Sequence, residues 1–353
     1  MKKVTKKIRI GNMQIGGGAP CSVQSMCNTD TRDVAATLAQ IERLASAGCE
    51  LVRCAVPDMA AAEAIGQIKA ASPLPVIADI HFDYKLALKA LEGGIDGLRL
   101  NPGNIGERWK TAEVVKAASE RQVPIRIGVN GGSLEKSLLA KYGHPTAEAM
   151  VESAMGHVRI LEGLGYEQIK ISLKASDVMK TVEAYRLLTA VVDYPLHIGI
   201  TEAGTIFSGT IKSAVGLGIL LAEGIGDTMR VSLTGDPVDE VRVAFSILKA
   251  LDIRRRGVNF VSCPTCGRCQ INLVSVAEEL EQRLSSIEKP LTVAVMGCVV
   301  NGPGEAREAD VGIAGGKGEG LLFRRGEVVR KVAESELADA LMAEVEKLVM
   351  EES

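Results

Sequence analysis

Residues 21–56 read CSVQSMCNTDTRDVAATLAQIERLASAGCELVRCAV, and this stretch decides the fold. Two short apolar runs, CSVQSM from Cys21 and ELVRCAV from Glu50, flank the segment ATLAQIERLASAG. Its Leu38, Ile41, Leu44 and Ala45 fall on one helical stripe, and Gly48 follows where a left-handed cap is needed. The unit is strand, helix, strand, the signature of a parallel sheet covered by helices.

Working outward, the same grammar recurs. Further runs begin near Pro75 (PVIADI), Asp96 (DGLRLN), Pro124 (PIRIGV), Gln168 (QIKISLK), Pro195 (PLHIGI) and Thr228 (TMRVSL), which makes eight in all. Most are continuously apolar rather than alternating, as expected of strands covered on both faces. Glycine-bearing helix ends return in LEGGID and LEGLGYE, and a proline opens strands three, five and seven, where a missing N–H does least harm. Eight such units predict a (β/α)8 TIM barrel, with an open doubly wound sheet as the alternative. After Arg255 the pattern changes. A linker and strand (RRRGVNFVSC) lead into a helix (INLVSVAEELEQRL), a strand (LTVAVMG), a glycine-rich loop (CVVNGPGE), short strands (VGIAGG, GLLFRRGEVVRKV) and a last amphipathic helix (ELADALMAEVEKLV). The expectation is an α/β barrel over residues 1–255 and a small α+β domain over 256–353.

Composition narrows the class. Apolar residues make up 46%, charged residues 24%, and the formal net charge is -3, so any anion site must be local rather than a coat for nucleic acid. The basic start MKKVTKKIRI lacks the apolar run of a secretory signal, and no stretch of about 18 apolar residues suggests a membrane span. The chain reads as cytoplasmic. In a reducing compartment eight cysteines argue for metal or redox chemistry where they cluster, not for disulfides.

Barrel enzymes react at the C-terminal ends of the strands, and here those ends are polar. Strand two ends at Arg53, strand three at Asp79 and His81, and strand four at Arg99 and Asn101. Strand five carries Arg126 and leads to Asn130, and strand six ends at Lys174. Strand seven leads to Thr201 and Glu202, and strand eight carries Arg230 and Ser232. Unpaired cations are too costly to bury in an apolar wall, so this set calls for an anion such as phosphate, which guanidinium forks grip in pairs of bonds. The loops NPGNIG and NGGSLEK add backbone N–H groups at helix starts. Ordinary ion pairs with acidic residues of neighbouring helices are the structural alternative. Glu202 is a candidate proton donor or a charge-balancing carboxylate. His81 is a substrate contact or a loop cap. His144, His157 and His197 read as core or surface.

In the C-terminal third, CPTCGRC spaces Cys263, Cys266 and Cys269 at intervals that bring thiolates together, and Cys298 follows in GCVVNGPGE. Spacing alone favours Cys269 as a fourth ligand. Zinc in a binding protein is the alternative to an iron–sulfur cluster in a redox enzyme, although no second CxxC or nearby histidine completes a zinc set. The CxxxCxxC of radical enzymes is absent.

These residues carry a resemblance over nearly the whole chain. VQSM and NT around Cys27, IADIHFDY, LRLNPGNIG, PIRIGVNGGSLEK, KASDV, GITEAG, GIGDTMRVSL, SCPTC and GCVVNGPGE closely resemble the 4-hydroxy-3-methylbut-2-en-1-yl diphosphate synthase family in its bacterial two-domain form. The resemblance implies a [4Fe-4S] cluster on Cys263, Cys266, Cys298 and Glu305, with Cys269 a bystander. A carboxylate is a weaker ligand than thiolate for such a site and is more readily displaced. It also implies reductive ring opening of 2-C-methyl-D-erythritol 2,4-cyclodiphosphate with two electrons from reduced flavodoxin or ferredoxin. By the same resemblance Arg53, Arg99, Arg126, Asn130 and Lys174 hold the diphosphate, Glu202 donates a proton or holds the departing hydroxyl, Asn301 is a further contact, and the protein is a homodimer. Cys27 stands where the family has threonine, which leaves only its local contacts in question.

Overall fold

The computed structural model describes residues 3–300 and 302–351. The chain divides into two compact units, Met1–Ile253 and Arg254–Ser353.

The first unit opens with a hairpin, β1 (Ile8–Ile10) and β2 (Met13–Ile15), turned at Gly11 with φ 58°. Eight parallel strands follow: β3 (Ser22–Met26), β4 (Leu51–Ala55), β5 (Val76–Asp79), β6 (Gly97–Arg99), β7 (Ile125–Asn130), β8 (Ile169–Lys174), β9 (His197–Ile198) and β10 (Thr228–Met229). Neighbours in sequence are neighbours in the sheet, β10 pairs with β3, and a bridge from Ile171 to Leu196 closes the ring. This is the expected barrel, not the open sheet.

The strands are wrapped by α1 (Val34–Ser46), α2 (Met59–Ala71), α3 (Tyr84–Glu92), α4 (Arg108–Glu120), α5 (Lys136–Tyr142), α6 (Ala147–Glu162), α7 (Val178–Thr189), α8 (Ile206–Ala222) and α9 (Pro237–Ala250). Asp33, Asp58, Asp83, Asp177 and Asp236 each precede a helix and accept a hydrogen bond from its first turn, a contribution of about 1 kcal/mol per cap. These caps fix where the loops of the barrel's C-terminal end become helix.

The apolar strand runs conceal an alternation. Val52, Cys54, Ala78, Leu98, Ile127, Val129, Ile171 and Leu173 face outward and form one buried cluster with the helices. Inward positions differ by height. At the N-terminal end Leu51 and Ile77 pack with Ile8, Ile10 and Ile15 of the hairpin, which plugs the floor. Two residues further along the same strands stand Arg53 and Asp79. The hairpin was hidden in the sequence by its brevity and by the basic residues interleaved with its isoleucines.

The second unit is a five-stranded sheet in the order β11 (Asn259–Ser262), β12 (Thr292–Met296), β13 (Val311–Gly315), β14 (Glu319–Arg324), β15 (Glu327–Ala333). The first three strands are parallel and the last two close as antiparallel neighbours. Helices α10 (Leu273–Leu284) and α12 (Leu337–Glu351) bury Leu280, Leu284, Leu341 and Val345 against it. The loop expected at CVVNGPGE is in part a helix, α11 (Gly302–Glu308). Pro303 suits a first helical turn because its missing N–H has no partner there anyway, and Gly302 packs closely, since a Cβ would meet Met296 and Ala314 at about 3 Å. No helix among the described residues is long and apolar enough to cross a membrane.

Candidate active site

The C-terminal mouth of the barrel gathers the predicted cations. Arg53, Arg99, Arg126, Lys174 and Arg230 come from five strands or strand ends, and all face inward. Asp79 stands among them. Its carboxylate lies 3.5 Å from Arg53 Nε and 3.2 Å from Arg99 Nη1. Burial alone would raise its pKa, but Arg53, the bond to His81, Arg99 and Arg126 outweigh that and hold it well below the usual carboxylate range. His81 reaches the same carboxylate at 3.6 Å from the rim, with its side chain largely exposed.

The other members are placed individually. Arg99 Nη2 donates to Gly128 O at 3.1 Å, and a Cβ at Gly128 would sit 3.0 Å from Arg99 Nε and crowd the guanidinium. Asn101 donates from Nδ2 to Gly128 O at 2.9 Å and accepts from Gly128 N at 2.8 Å, so its amide is occupied in tying β6 to β7. Asn130 ends β7 half-buried beside Lys174 of β8. Lys174 lies over Gly199, where a Cβ would approach Nζ to 2.7 Å. Arg230 makes a two-pronged pair with Glu240 of α9 at 3.1 Å on each side, so for this one cation the ion-pair alternative holds. Ser232 is half-buried just beyond β10. Glu202 is exposed and has φ 51°, an unfavourable left-handed conformation for a residue with a side chain, of the sort concentrated at functional sites.

Lys170 was not anticipated, whereas His157 and His197, read as core or surface, are both buried. Lys170, on β8 beneath Lys174, is 1% exposed and its Nζ has no hydrogen-bond partner. Arg126 Nε is likewise unpartnered. His197, fully buried on β9, bonds Thr228 Oγ1 through Nδ1 and leaves Nε2 unpartnered. His157, on α6, accepts from the N–H of Gly103 at 3.1 Å and lies 3.4 Å from Glu135, which links the NPGNIG and NGGSLEK loops. Strand parity was the available signal for Lys170, since it stands an even step from Lys174. The two histidines carried no such signal.

The electrostatic outcome is one-sided. Six basic side chains (Arg53, Arg99, Arg126, Lys170, Lys174, Arg230) share the interior with the carboxylates of Asp79, Asp227 and Glu240. Burial, followed by mutual repulsion, pushes Arg53 down to about 10 and lowers Arg126, Lys170 and Lys174 well below their ordinary values. Such a mouth is built for a multiply charged anion.

In the second unit, Cys263 immediately follows β11 and Cys298 follows β12, its parallel neighbour. Cys263 Sγ accepts the N–H of Gly297 at 3.3 Å, which ties the two strand ends together. Cys266 is exposed, and hydrogen bonds from the Arg268 backbone and side chain lower its pKa toward the thiolate, with Cys298 close enough to oppose this. Cys269 differs. Its thiol donates to Ile271 O at 3.3 Å and packs against Gly297, so it is turned into the backbone. Glu305 lies exposed in the first turn of α11. Asn301 lies outside the described residues. Among those described, no three acidic, histidine or cysteine side chains are already closed around one point. The donor chemistry nevertheless fits an iron–sulfur group: soft thiols at the ends of paired strands, one of them biased toward its anion.

Comparison with known proteins agrees with both units. Residues 5–245 match the GcpE TIM-barrel domain and residues 259–347 the GcpE protein C-terminal domain. The 4-hydroxy-3-methylbut-2-en-1-yl diphosphate synthase (flavodoxin) of Geobacter sulfurreducens is 80% identical over 99% of each chain. That of Thermodesulfovibrio yellowstonii is 58% identical over 98% of this chain and 99% of its own. Among solved structures, the Yersinia pestis dihydropteroate synthase aligns with 70% of this chain and 98% of its own at a TM-score of 0.50 and 11% identity, which speaks to the barrel fold alone. With two family domains spanning both units and full-length relatives at this identity, the chain belongs to the GcpE family of 4-hydroxy-3-methylbut-2-en-1-yl diphosphate synthases.

Proposed function

We propose that this chain is an iron–sulfur oxidoreductase that opens 2-C-methyl-D-erythritol 2,4-cyclodiphosphate reductively to 4-hydroxy-3-methylbut-2-enyl diphosphate, in the cytoplasm and as a homodimer. The observation that carries the reading is the excess of buried positive charge at the barrel mouth, in a chain 80% identical to a synthase of that name. The cyclic dianion, two electrons and one proton give the open-chain trianion and one water. The names of the relatives, synthases of the flavodoxin type, favour reduced flavodoxin over ferredoxin as the source of electrons.

Arg53, Arg99, Arg126, Asn130 and Lys174 bind the diphosphate, with Arg230, Ser232 and His81 completing the rim and Asn101 holding β6 and β7 in register. Positive charge already in place stabilises the extra negative charge as the ring opens, and it needs no reorganisation to do so. Glu202 supplies from its carboxyl the proton with which the hydroxyl leaves as water. A [4Fe-4S] cluster would be held by Cys263, Cys266, Cys298 and Glu305. When bound it supplies the electrons and a Lewis-acidic iron. The thiol of Cys269, occupied by Ile271 O, stays outside the set.

The test is anaerobic turnover with reduced flavodoxin and the cyclic diphosphate. Cys263→Ser or Cys298→Ser should abolish both brown colour and product, and Cys269→Ser should keep both. Conversion by colourless, iron-free protein would contradict the reading.

A further inference from the structure

On β8 the inward positions alternate as Lys170, Ser172 and Lys174, and Lys170 lies in register with Arg126 of β7. Two cations directly opposite on neighbouring strands repel, and within a sheet such a pair is normally avoided. Here it is also buried, at 1% exposure for Lys170 and 5% for Arg126, and both Lys170 Nζ and Arg126 Nε are without hydrogen-bond partners. A buried charge without hydrogen-bond partners is strongly disfavoured in general. Lys170 stands level with Arg126 and four residues before Lys174 on β8, and it is not among the groups assigned above to the diphosphate.

We propose that Lys170 is a positioning residue for the anion: its place opposite Arg126 makes its charged form costly in the free barrel, and only a multiply charged ligand at the mouth relieves that cost. The inference rests on the diphosphate reading and deepens it. Since the ring-opened product carries one more negative charge than the cyclic substrate, a cation held in reserve beneath the mouth favours the later stages of the reaction over the starting complex.

The groups facing Lys170 are of both signs. Arg126 on β7 and Arg53 on β4 repel it, Asp227 ahead of β10 attracts it, Cys21 ahead of β3 lies nearby, and His197 on β9 shares the same interior. Burial first, and then Arg126, favour the neutral amine in the free protein. A bound anion reverses that balance, so binding takes up protons, and affinity falls as pH rises through the range in which Lys170 loses its charge.

The experiment uses the anaerobic holoenzyme and its Lys170→Met and Lys170→Gln variants, with the cyclic diphosphate and inorganic diphosphate as probes. Calorimetry in buffers of different ionisation enthalpy reads affinity and proton uptake, and melting reads stability. Both variants should melt about 2–4 °C higher without ligand, bind inorganic diphosphate at least about tenfold more weakly, lose the larger part of the proton uptake, and fall further in kcat than they rise in KM. A lower ligand-free melting point in both variants makes Lys170 a structural partner of Asp227 and overturns the proposal. So does unchanged proton uptake. If the wild-type holoenzyme itself binds neither probe, it is the diphosphate reading that fails, and the two failures are thereby distinguished.

Discussion

The two ends of the barrel are made from the same strands and could hardly differ more. At the floor, Leu51 and Ile77 meet the isoleucines of the N-terminal hairpin in a buried apolar cluster. Two residues along each strand, at the mouth, Arg53 and Asp79 join a ring in which cations outnumber carboxylates. One end contributes stability through burial of apolar surface. The other spends stability to hold charges that have too few partners within the chain. The lesson is that a period-two pattern lets a single strand serve both ends, with the outward face common to each.

The comparison is broken most severely by removing a mouth cation. Arg126→Met should lower kcat/KM by about a thousandfold, about 4 kcal/mol of transition-state stabilisation, while the ligand-free protein stays at least as stable as the parent. Steady-state kinetics with a parallel melting curve would check both halves. Loss of stability without loss of rate would place Arg126 with the floor.

Asp79 is the exception that sharpens the contrast, because it is the mouth residue whose removal should destabilise. Its folded pKa is depressed, so its contribution is fully present above the ordinary carboxylate value of about 4 and is lost as pH falls through the lower folded value. Asp79→Asn should cost about 3 kcal/mol at neutral pH, since Arg53 and Arg99 lose their shared carboxylate, and the penalty should shrink in acid. Denaturant titrations across that range measure it.

At the floor the expected effect is smaller and of the opposite kind. Leu51→Ala should cost about 2–3 kcal/mol of stability through the cavity it leaves, with kcat/KM unchanged at temperatures where the variant is folded. A marked loss of activity in folded Leu51→Ala would mean that the two ends are not independent.

Much of this architecture could be read before any coordinates. The eight strand runs and the prolines before β5, β7 and β9 mark the barrel, because covered parallel strands must be apolar on at least one face. The cations at strand ends mark the mouth, because nothing in an apolar wall could tolerate them. What escaped were features whose local signal is weak. The hairpin strands are three residues long, and α11 begins in a segment whose glycines read as loop. Lys170 was concealed inside an apparently apolar run, although counting back by even steps from Lys174 would have placed it inward. The role of Asn101 could not be read at all, since its partner is the Gly128 backbone, brought beside it only by the register of β6 and β7.

The central claim is that the mouth is held under electrostatic strain that a diphosphate relieves. Melting of the anaerobic holoenzyme with and without the cyclic diphosphate, in the parent and in Arg126→Met/Lys174→Met, tests it most directly. The account predicts that the double variant melts higher than the parent when ligand-free and gains no further stability from the cyclic diphosphate. A double variant that melts lower and still responds to the ligand as strongly as the parent would contradict it.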